Sequence, residues 1–441
     1  MKRILPNILS ALLLSCLPWL PAQAQSVSPP PRQVEPPAES LIISHTLSEP
    51  ETSSFSTDLY RERSNIKTMD LTSRSTDIWT RMRRGFGIPD LASPVVDKQL
   101  AALVARPQAV INILERGRKY LYHIVSELEK RGMPTELALL PLVESAYNPM
   151  AFSPAKAAGL WQFIPSTGKD FQLQQNWWVD ERRDVVASTN AALQYLQAVY
   201  ELQGDWHLAL ASYNWGENAV VRAVNSNRNA GKPTDFNNLS MPNETRQYVP
   251  KFQAIKMIVA NPERYGIKLP NIPNDPYFVT VERSQGMDVA VAARLAEMPL
   301  SEFQSLNPAY NRPVIPGSHA ADLVLPVENA HKFKENLAAH AGQPLVNWKT
   351  YTLPRAARIE DVARRLRLSP DVLRTANGLA ARARLASGYT LLIPQDTDTA
   401  LADRAPPVNI KPRQAQHNPP RALSKTEPRP VASASKPRRR S

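Results

Sequence analysis

The spacing of hydrophobic and polar positions divides the chain into three kinds of segment. Between residues 77 and 270 apolar side chains recur every three or four positions, the period of a helix with one buried face. Ile78, Trp79, Met82 and Phe86 open the series; Leu100, Leu103, Ile111, Leu114, Leu121, Ile124 and Leu128 carry it to Arg131. Gly132 predicts a helix stop there, and Pro134-Thr135-Glu136 predicts the first turn of the next helix. Further helices are expected over 188–202, 207–214, 219–224 and 245–259, and no run before residue 270 alternates like a strand. After Pro270 the period changes. Tyr277 to Val281 reads as a strand, followed by a helical stretch and then Leu323 to Pro326. The same order returns in Tyr351 to Leu353, a helical stretch, and Leu391 to Pro394. In each unit an apolar residue stands four before an asparagine: Phe303 before Asn307, and Leu373 before Asn377. This is a weak internal repeat of strand, helix, helix, strand.

Composition bears mainly on the ends. The 441 residues include 41 prolines but only 15 glycines, and the prolines are densest towards both ends. Residues 25–76 read as a disordered spacer, and 396–441 as a basic, Pro-rich disordered tail. At the N-terminus Lys2 and Arg3 precede an apolar stretch, Ile8 to Leu20, and Ala22-Gln23-Ala24 supplies a small-x-small cleavage site. Residues 1–24 therefore read as an export signal, too short and too broken by proline for a membrane span. The sole cysteine, Cys16, comes directly after Leu13-Leu14-Ser15. It reads either as the lipidated first residue of an imperfect bacterial lipobox or as an ordinary residue of a signal removed after Ala24. A net charge of +13 favours an acidic partner such as nucleic acid, anionic lipid or an anionic wall polymer. Export and the lack of any reading motif argue against nucleic acid. The histidines show no metal-ligand spacing and there is no cysteine pair, so neither a metal nor another cofactor is expected.

The candidate chemistry centres on Glu144. It ends the apolar run Leu139-Leu140-Pro141-Leu142-Val143, and burial raises a carboxyl pKa by disfavouring the charged form, which a general acid requires. From position alone, a glutamate that caps or salt-bridges at a helix end is the better account of Glu144. The residues downstream shift the balance. Gly159 and Gly168 flank Leu160-Trp161-Gln162-Phe163, where glycine permits close approach to a ligand, the indole can pack on a sugar face, and the amide can bond hydroxyls. Ser212-Tyr213-Asn214-Trp215 and Glu244 to Pro250 add two more aromatic-polar clusters.

Four strings in order, "LPLVESAYNPMAFSPAKAAGLWQFIPSTG", "DERRDVVASTNAALQYL", "LALASYNWGENAV" and "ETRQYVPKFQAIKMI", resemble the membrane-bound lytic murein transglycosylase D family within the lysozyme-like transglycosylases. The resemblance implies a mainly α, lysozyme-like catalytic domain over 77–270, followed by small α+β (βααβ) LysM-like modules. It implies Glu144 as the single catalytic acid/base, with Ser145, Ser153, Gln162, Tyr213, Asn214 and Tyr248 lining the groove. It also implies non-hydrolytic cleavage of peptidoglycan glycan strands, in the periplasm and, through Cys16, at the outer membrane; a monomer is expected. Trp161 stands where many relatives outside this subgroup carry methionine, and Ser212 and Trp215 replace commoner alanines. Asp180, Glu181, Asp184, Glu217 and Glu244 are the alternative second carboxylates. Should one face Glu144 across the groove, hydrolysis becomes the better reading. A non-catalytic wall-binding protein is the remaining alternative.

Residues 347–395 resemble a LysM module, which binds N-acetylglucosamine polymers, with Ala356-Ala357-Arg358 in place of the usual Gly-Asp-Ser/Thr turn. Residues 275–335 resemble the same module more distantly, as a sugar binder or as a packing unit that supports the helical domain.

Overall fold

The computed structural model describes residues 76–283, 285–317 and 322–395. The signal, the spacer, Cys16 and the tail lie outside them. Ten α-helices come first: α1 (Ile78–Arg84), α2 (Pro94–Val104), α3 (Pro107–Arg116), α4 (Leu121–Lys130), α5 (Leu140–Ser145), α6 (Pro165–Asp170), α7 (Val185–Gln203), α8 (Trp206–Trp215), α9 (Glu217–Asn229) and α10 (Asn243–Ala260). The continuous apolar pattern from Val95 to Arg131 is thus three helices rather than one. Pro107 has no N–H to extend α2, so it opens α3 after Arg106 leaves helical geometry at φ −133°, ψ 58°. Gly117 then begins a short 3₁₀ turn ahead of α4. Gly132, at φ +63°, supplies the expected stop. Thr135–Leu139 forms a 3₁₀ turn before α5 rather than an α-helical one. Its buried Glu136 accepts hydrogen bonds from the backbone N–H groups of Gly87 and Ile88, which ties α5 to the loop after α1.

The long helices are started by side chains that the sequence places at their ends. Asp184 accepts from Val186 N and Ala187 N at α7, and Asp205 accepts from Leu208 N at α8. α10 packs against α2, α8 and α5. Its burial covers Val249, Phe252, Ile255, Ile258 and Val259.

The first small unit contains β1 (Phe278–Val281), β2 (Met287–Asp288), α11 (Val289–Leu295), α12 (Leu300–Leu306), β3 (Val314–Ile315), β4 (Leu323–Pro326) and α13 (Val327–Ala339). β1 pairs antiparallel with β4, and the two-residue strands β2 and β3 pair with each other. The second contains β5 (Trp348–Thr352), β6 (Ala357–Arg358), α14 (Ile359–Arg365), α15 (Pro370–Asn377), β7 (Arg384–Leu385) and β8 (Thr390–Pro394), with β5 on β8 and β6 on β7. The short inner pairs escape the hydrophobic pattern because two residues carry no period.

The repeated asparagines explain the likeness of the two units. Asn307 donates to Phe303 O and Val324 O and accepts from Val324 N. Asn377 does the same with Leu373 O, Leu392 O and Leu392 N. A side-chain amide here stands in for a strand neighbour, satisfying both backbone groups of one residue of the outgoing strand at the end of a helix.

Two apolar cores result. One runs without a break from Ile78 to Leu345, taking in the first small unit; the other is confined to the second, from Leu353 to Ile393. No helix among the described residues is long and apolar enough to cross a membrane.

Candidate active site

Glu144 lies in the last turn of α5, whose Leu140, Pro141 and Leu142 are buried. The helix stops because Ala146 and Tyr147 turn left-handed, at φ 53° and 54°. Tyr147 is 1% exposed, and its hydroxyl donates to Ala138 O at 2.7 Å, which locks that reversal. Glu144 is therefore left at a blunt helix end, partly open, with its carboxylate turned to α10. There Tyr248, 8% exposed, donates its hydroxyl to Glu144 Oε1.

The side chains around Glu144 form a closed frame. Ser145 Oγ donates to Leu160 O at 2.8 Å, joining α5 to the loop that carries the Gly-Leu-Trp-Gln string. Tyr213 OH donates to Trp161 O at 2.8 Å, joining that loop to α8. Thr245 Oγ1 donates to Asn214 Oδ1 at 2.8 Å, joining α8 to α10, and Tyr248 closes the frame on Glu144. Ser153 and Gln162 form bonds within the loop itself. Ser153 Oγ accepts from Ala157 N at 3.0 Å, and Gln162 Nε2 donates to Gly159 O at 2.8 Å.

Burial pushes the Glu144 carboxyl up to about 7. The hydrogen bond from Tyr248 and the charge of Lys251 pull against that rise, and the charge of Glu244 adds to it. The phenols of Tyr213 and Tyr248 are raised well above their ordinary value, first by burial and then by the Glu144 charge, so both remain donors.

Two sequence expectations are corrected. Trp161 is not a sugar platform: it is fully buried, and its indole N–H donates to Thr189 Oγ1 at 3.0 Å. The apolar side chains that this segment exposes are Met150, Phe152 and Ile164, with Phe152 half exposed. Gly159, at φ +87°, admits protein rather than ligand, since a Cβ there would come within 1.8 Å of Arg182 O. Arg182 answers by donating to Lys156 O and Phe163 O while paired with Asp180 at 2.8 Å. Thr245 and Lys251 lie inside the four family-like strings, yet no sequence signal marks them out: their chemistry-bearing spacing to Glu144 exists only in the fold. Arg182 reads from the sequence only as a partner for the neighbouring carboxylates, which its pairing with Asp180 bears out.

The alternative carboxylates are mostly engaged elsewhere. Asp180 pairs with Arg182, Glu181 accepts from Gln174 N, Asp184 caps α7, and Glu217 accepts from Tyr195 OH. Glu244, exposed in the first turn of α10, is the one of the five whose charge is felt at Glu144. Among the described residues no group of three or more His, Cys, Asp or Glu side chains could hold a metal ion.

Residues 122–236 match the transglycosylase SLT domain, and residues 277–342 match the LysM-like domain of lytic transglycosylase MltD. The chain is 37% identical over 289 residues to membrane-bound lytic murein transglycosylase D of Escherichia coli (strain K12); the match covers 63% of this chain and 64% of that relative's length. It is 45% identical over 122 residues, 27% of this chain and 59% of the relative, to a protein of Alteromonas sp. (strain M-1) named for tributyltin chloride resistance. Among solved structures, the 70 kDa soluble lytic transglycosylase SLT70 of Escherichia coli is 27% identical over 29% of this chain and 22% of that one, with a TM-score of 0.24. Two successive regions of the chain are thus similar to known domains, 122–236 to the transglycosylase SLT domain and 277–342 to the LysM-like domain of lytic transglycosylase MltD.

Proposed function

We propose that this chain is a lytic transglycosylase that cleaves the β-1,4 bond between N-acetylmuramic acid and N-acetylglucosamine in peptidoglycan, with Glu144 as its single acid/base. The observation that carries the reading is the Glu144 carboxyl itself, raised by burial to about 7 and held by Tyr248. A carboxyl in that range holds a proton near neutrality and can release it, as an acid that later serves as a base must. Glu144 protonates the glycosidic oxygen as the bond breaks. The acetamido group of the muramic residue stabilises the positive charge that develops at the anomeric carbon. The Glu144 carboxylate then takes the proton of the same sugar's 6-hydroxyl, whose oxygen closes on the anomeric carbon as a 1,6-anhydro ring. No water is consumed, and the acid is restored. Tyr248 fits the second half of the cycle, since its hydrogen bond favours the charged carboxylate.

The matched domains and the names of the relatives support peptidoglycan as the polymer. Export through residues 1–24, attachment to the outer membrane through Cys16 and a monomeric state belong to the same proposal, and the intact mass of the mature protein tests the first two.

Hydrolysis is the second reading, because Glu244 is close enough for its charge to raise the Glu144 pKa. The products separate the two. Purified peptidoglycan is digested with the mature protein and the released muropeptides are weighed. Products lighter by one water and resistant to reduction support transglycosylation; reducible ends replace it with hydrolysis, with Glu244 as the second carboxylate to test. Release that persists undiminished in Glu144→Gln would sink both.

A further inference from the structure

The second small unit is strongly basic, and its charges are unevenly placed. Residues 347–395 contain nine lysines and arginines against three acids, Glu360, Asp361 and Asp371. All three acids serve arginines of α14 and α15. Glu360 and Asp371 pair with Arg374 at 3.2 and 2.5 Å, and Asp361 pairs with Arg364 at 3.4 Å. The edge built from β6 and β7 is left with arginines alone.

The strand register puts two of them face to face. Arg358 of β6 is the direct partner of Arg384 of β7. Leu385 belongs to the apolar core of the unit and Ala357 packs against it, so alternation turns Arg358 and Arg384 outward, where both are exposed. Arg355 and Arg382, also exposed, lie in the turns that lead into β6 and β7. Arg374 donates to Ala381 O at 3.3 Å, which fixes the turn that carries Arg382. Among the described residues no carboxylate pairs with any of these four.

The arrangement destabilises the unit in two ways. Like charges directly opposite on paired strands repel. Arg358 is also the N-cap of α14, at φ −80° and ψ 151°, with no side-chain cap bond. A serine or threonine there would accept a backbone N–H of the first turn, whereas a guanidinium accepts nothing. This is the position at which Ala356-Ala357-Arg358 departs from a Gly-Asp-Ser/Thr turn. Glu360 and Asp361, within three residues of it, turn to Arg374 and Arg364 instead. A set of guanidinium groups without counter-charge, held on a paired ribbon, is a preformed seat for phosphate, whose oxygens their forked donors match.

The carrier of that phosphate follows from the surroundings. The four side chains are spread along an exposed edge, which suits a plane of headgroups. The sequence that runs on from β8, residues 396–441, carries ten lysines and arginines against four acids. A basic edge continued by a basic segment is the charge pattern that anionic lipid attracts. None of the large apolar side chains exposed among the described residues belongs to this unit, so the contact is electrostatic and made without insertion.

We propose that the Arg358–Arg384 edge of the second small unit docks on an anionic phospholipid surface, its guanidinium groups engaging headgroup phosphates. The proposal does not depend on the reaction assigned to Glu144.

The test is co-sedimentation of the mature protein with vesicles of phosphatidylcholine and with vesicles of phosphatidylcholine mixed with phosphatidylglycerol. The ratio of the two affinities is read, because a lipid on the N-terminus would raise both alike. Arg358→Ser and Arg384→Ser are made singly and together. Each is expected to lower the preference for the anionic vesicles about fivefold, and the pair about 25-fold, at low salt. The preference of the unaltered protein should itself fade as salt is raised. Arg358→Ser is expected at the same time to raise the melting temperature of the second small unit, by capping α14 and parting the like charges, so that lost binding is not lost fold. Arg384→Ser, which touches no cap, carries the binding test by itself. An unchanged preference in the double variant would overturn the proposal and leave the attraction to the segment beyond Gln395. Equal losses on both kinds of vesicle would overturn the assignment to anionic headgroups. A double variant that loses affinity for purified peptidoglycan, with its vesicle preference intact, would overturn the proposal in favour of the wall polymer.

Discussion

Glu144, the proposed acid/base, illustrates how a buried carboxyl taxes the fold that holds it. A carboxyl whose pKa is raised on folding, here from its ordinary 4.5 to about 7, favours the folded state most below its unfolded value. That contribution is lost as pH rises through about 7, where the buried group must ionise. Glu144→Gln removes the titration and keeps the shape. The variant should therefore melt a few degrees above the parent at pH 8.5 and level with it at pH 4, while glycan cleavage is abolished. Differential scanning calorimetry at the two pH values decides the matter; an equal gain at both would mean that the carboxyl is not held protonated by its surroundings. The sequence makes Glu144 legible because it ends an apolar run just ahead of a glycine- and aromatic-rich loop. It cannot reveal Tyr248 as the donor, since 104 residues separate the pair and only the packing of α10 on α5 joins them. Trp161 escapes a sequence reading for a related reason. Nothing in "GLWQF" says which aromatic turns inward, and Thr189, the partner that takes its N–H, lies 28 residues away on α7.

At the scale of elements, two features depend on a single residue each. The loop that carries Leu160, Trp161 and Gln162 can reach α5 and α8 because Gly159 lies against the Arg182 backbone in a left-handed conformation. Gly159→Ala forces a Cβ onto the carbonyl of Arg182, the residue whose guanidinium holds Lys156 O and Phe163 O at the two ends of the loop. It is expected to cost about 3–5 kcal/mol and to abolish cleavage, read by chemical denaturation and by muropeptide release. A variant that melts normally would show that the close approach is dispensable. In the second small unit, Asn377→Ala removes the side-chain partner of Leu392 N and Leu392 O and a second bond to Leu373 O, at about 2–4 kcal/mol. Hydrogen exchange at Leu392 should report the loosening while the amides of α5 stay protected. The repeat is visible in the sequence as an apolar residue four before an asparagine. Its meaning is not, because the strand residue that the asparagine serves lies 15 or 17 positions further on. The broken helix before Arg131 shows the opposite case: the apolar period runs straight through Pro107, and the proline, a purely local signal, decides the boundary.

Across the whole described molecule, the distribution of apolar contacts separates units that the sequence treats as siblings. The first small unit contributes Phe278, Phe303, Leu325 and Phe333 to the same core as Leu121 and Phe252, and its Val179–Tyr310 bridge and Ala309 carbonyl bind it to the helical part by backbone. Arg183, largely removed from water, adds a bond to Ala309 O. Of its two readings, this arrangement favours the packing unit. The second small unit keeps a core of its own and is joined through Asp288, which accepts from Asn347 N and Nδ2 at 3.1 and 2.7 Å. A shared core unfolds as one cooperative body, whereas a core bounded by a few polar bonds unfolds by itself. Calorimetry of the full chain should accordingly show two transitions, not three, with the smaller one assigned to residues 347–395. Asn377→Ala should lower the smaller transition alone, and Asn307→Ala, the same substitution at the same place in the sibling unit, should lower the larger. A third transition that moves with Asn307→Ala would show that the first small unit melts independently, and the continuity of its apolar core with the helices would then contribute nothing to cooperativity. The contrast between the two asparagines makes the prediction sharp, since the local bonds they lose are the same and only the surrounding core differs.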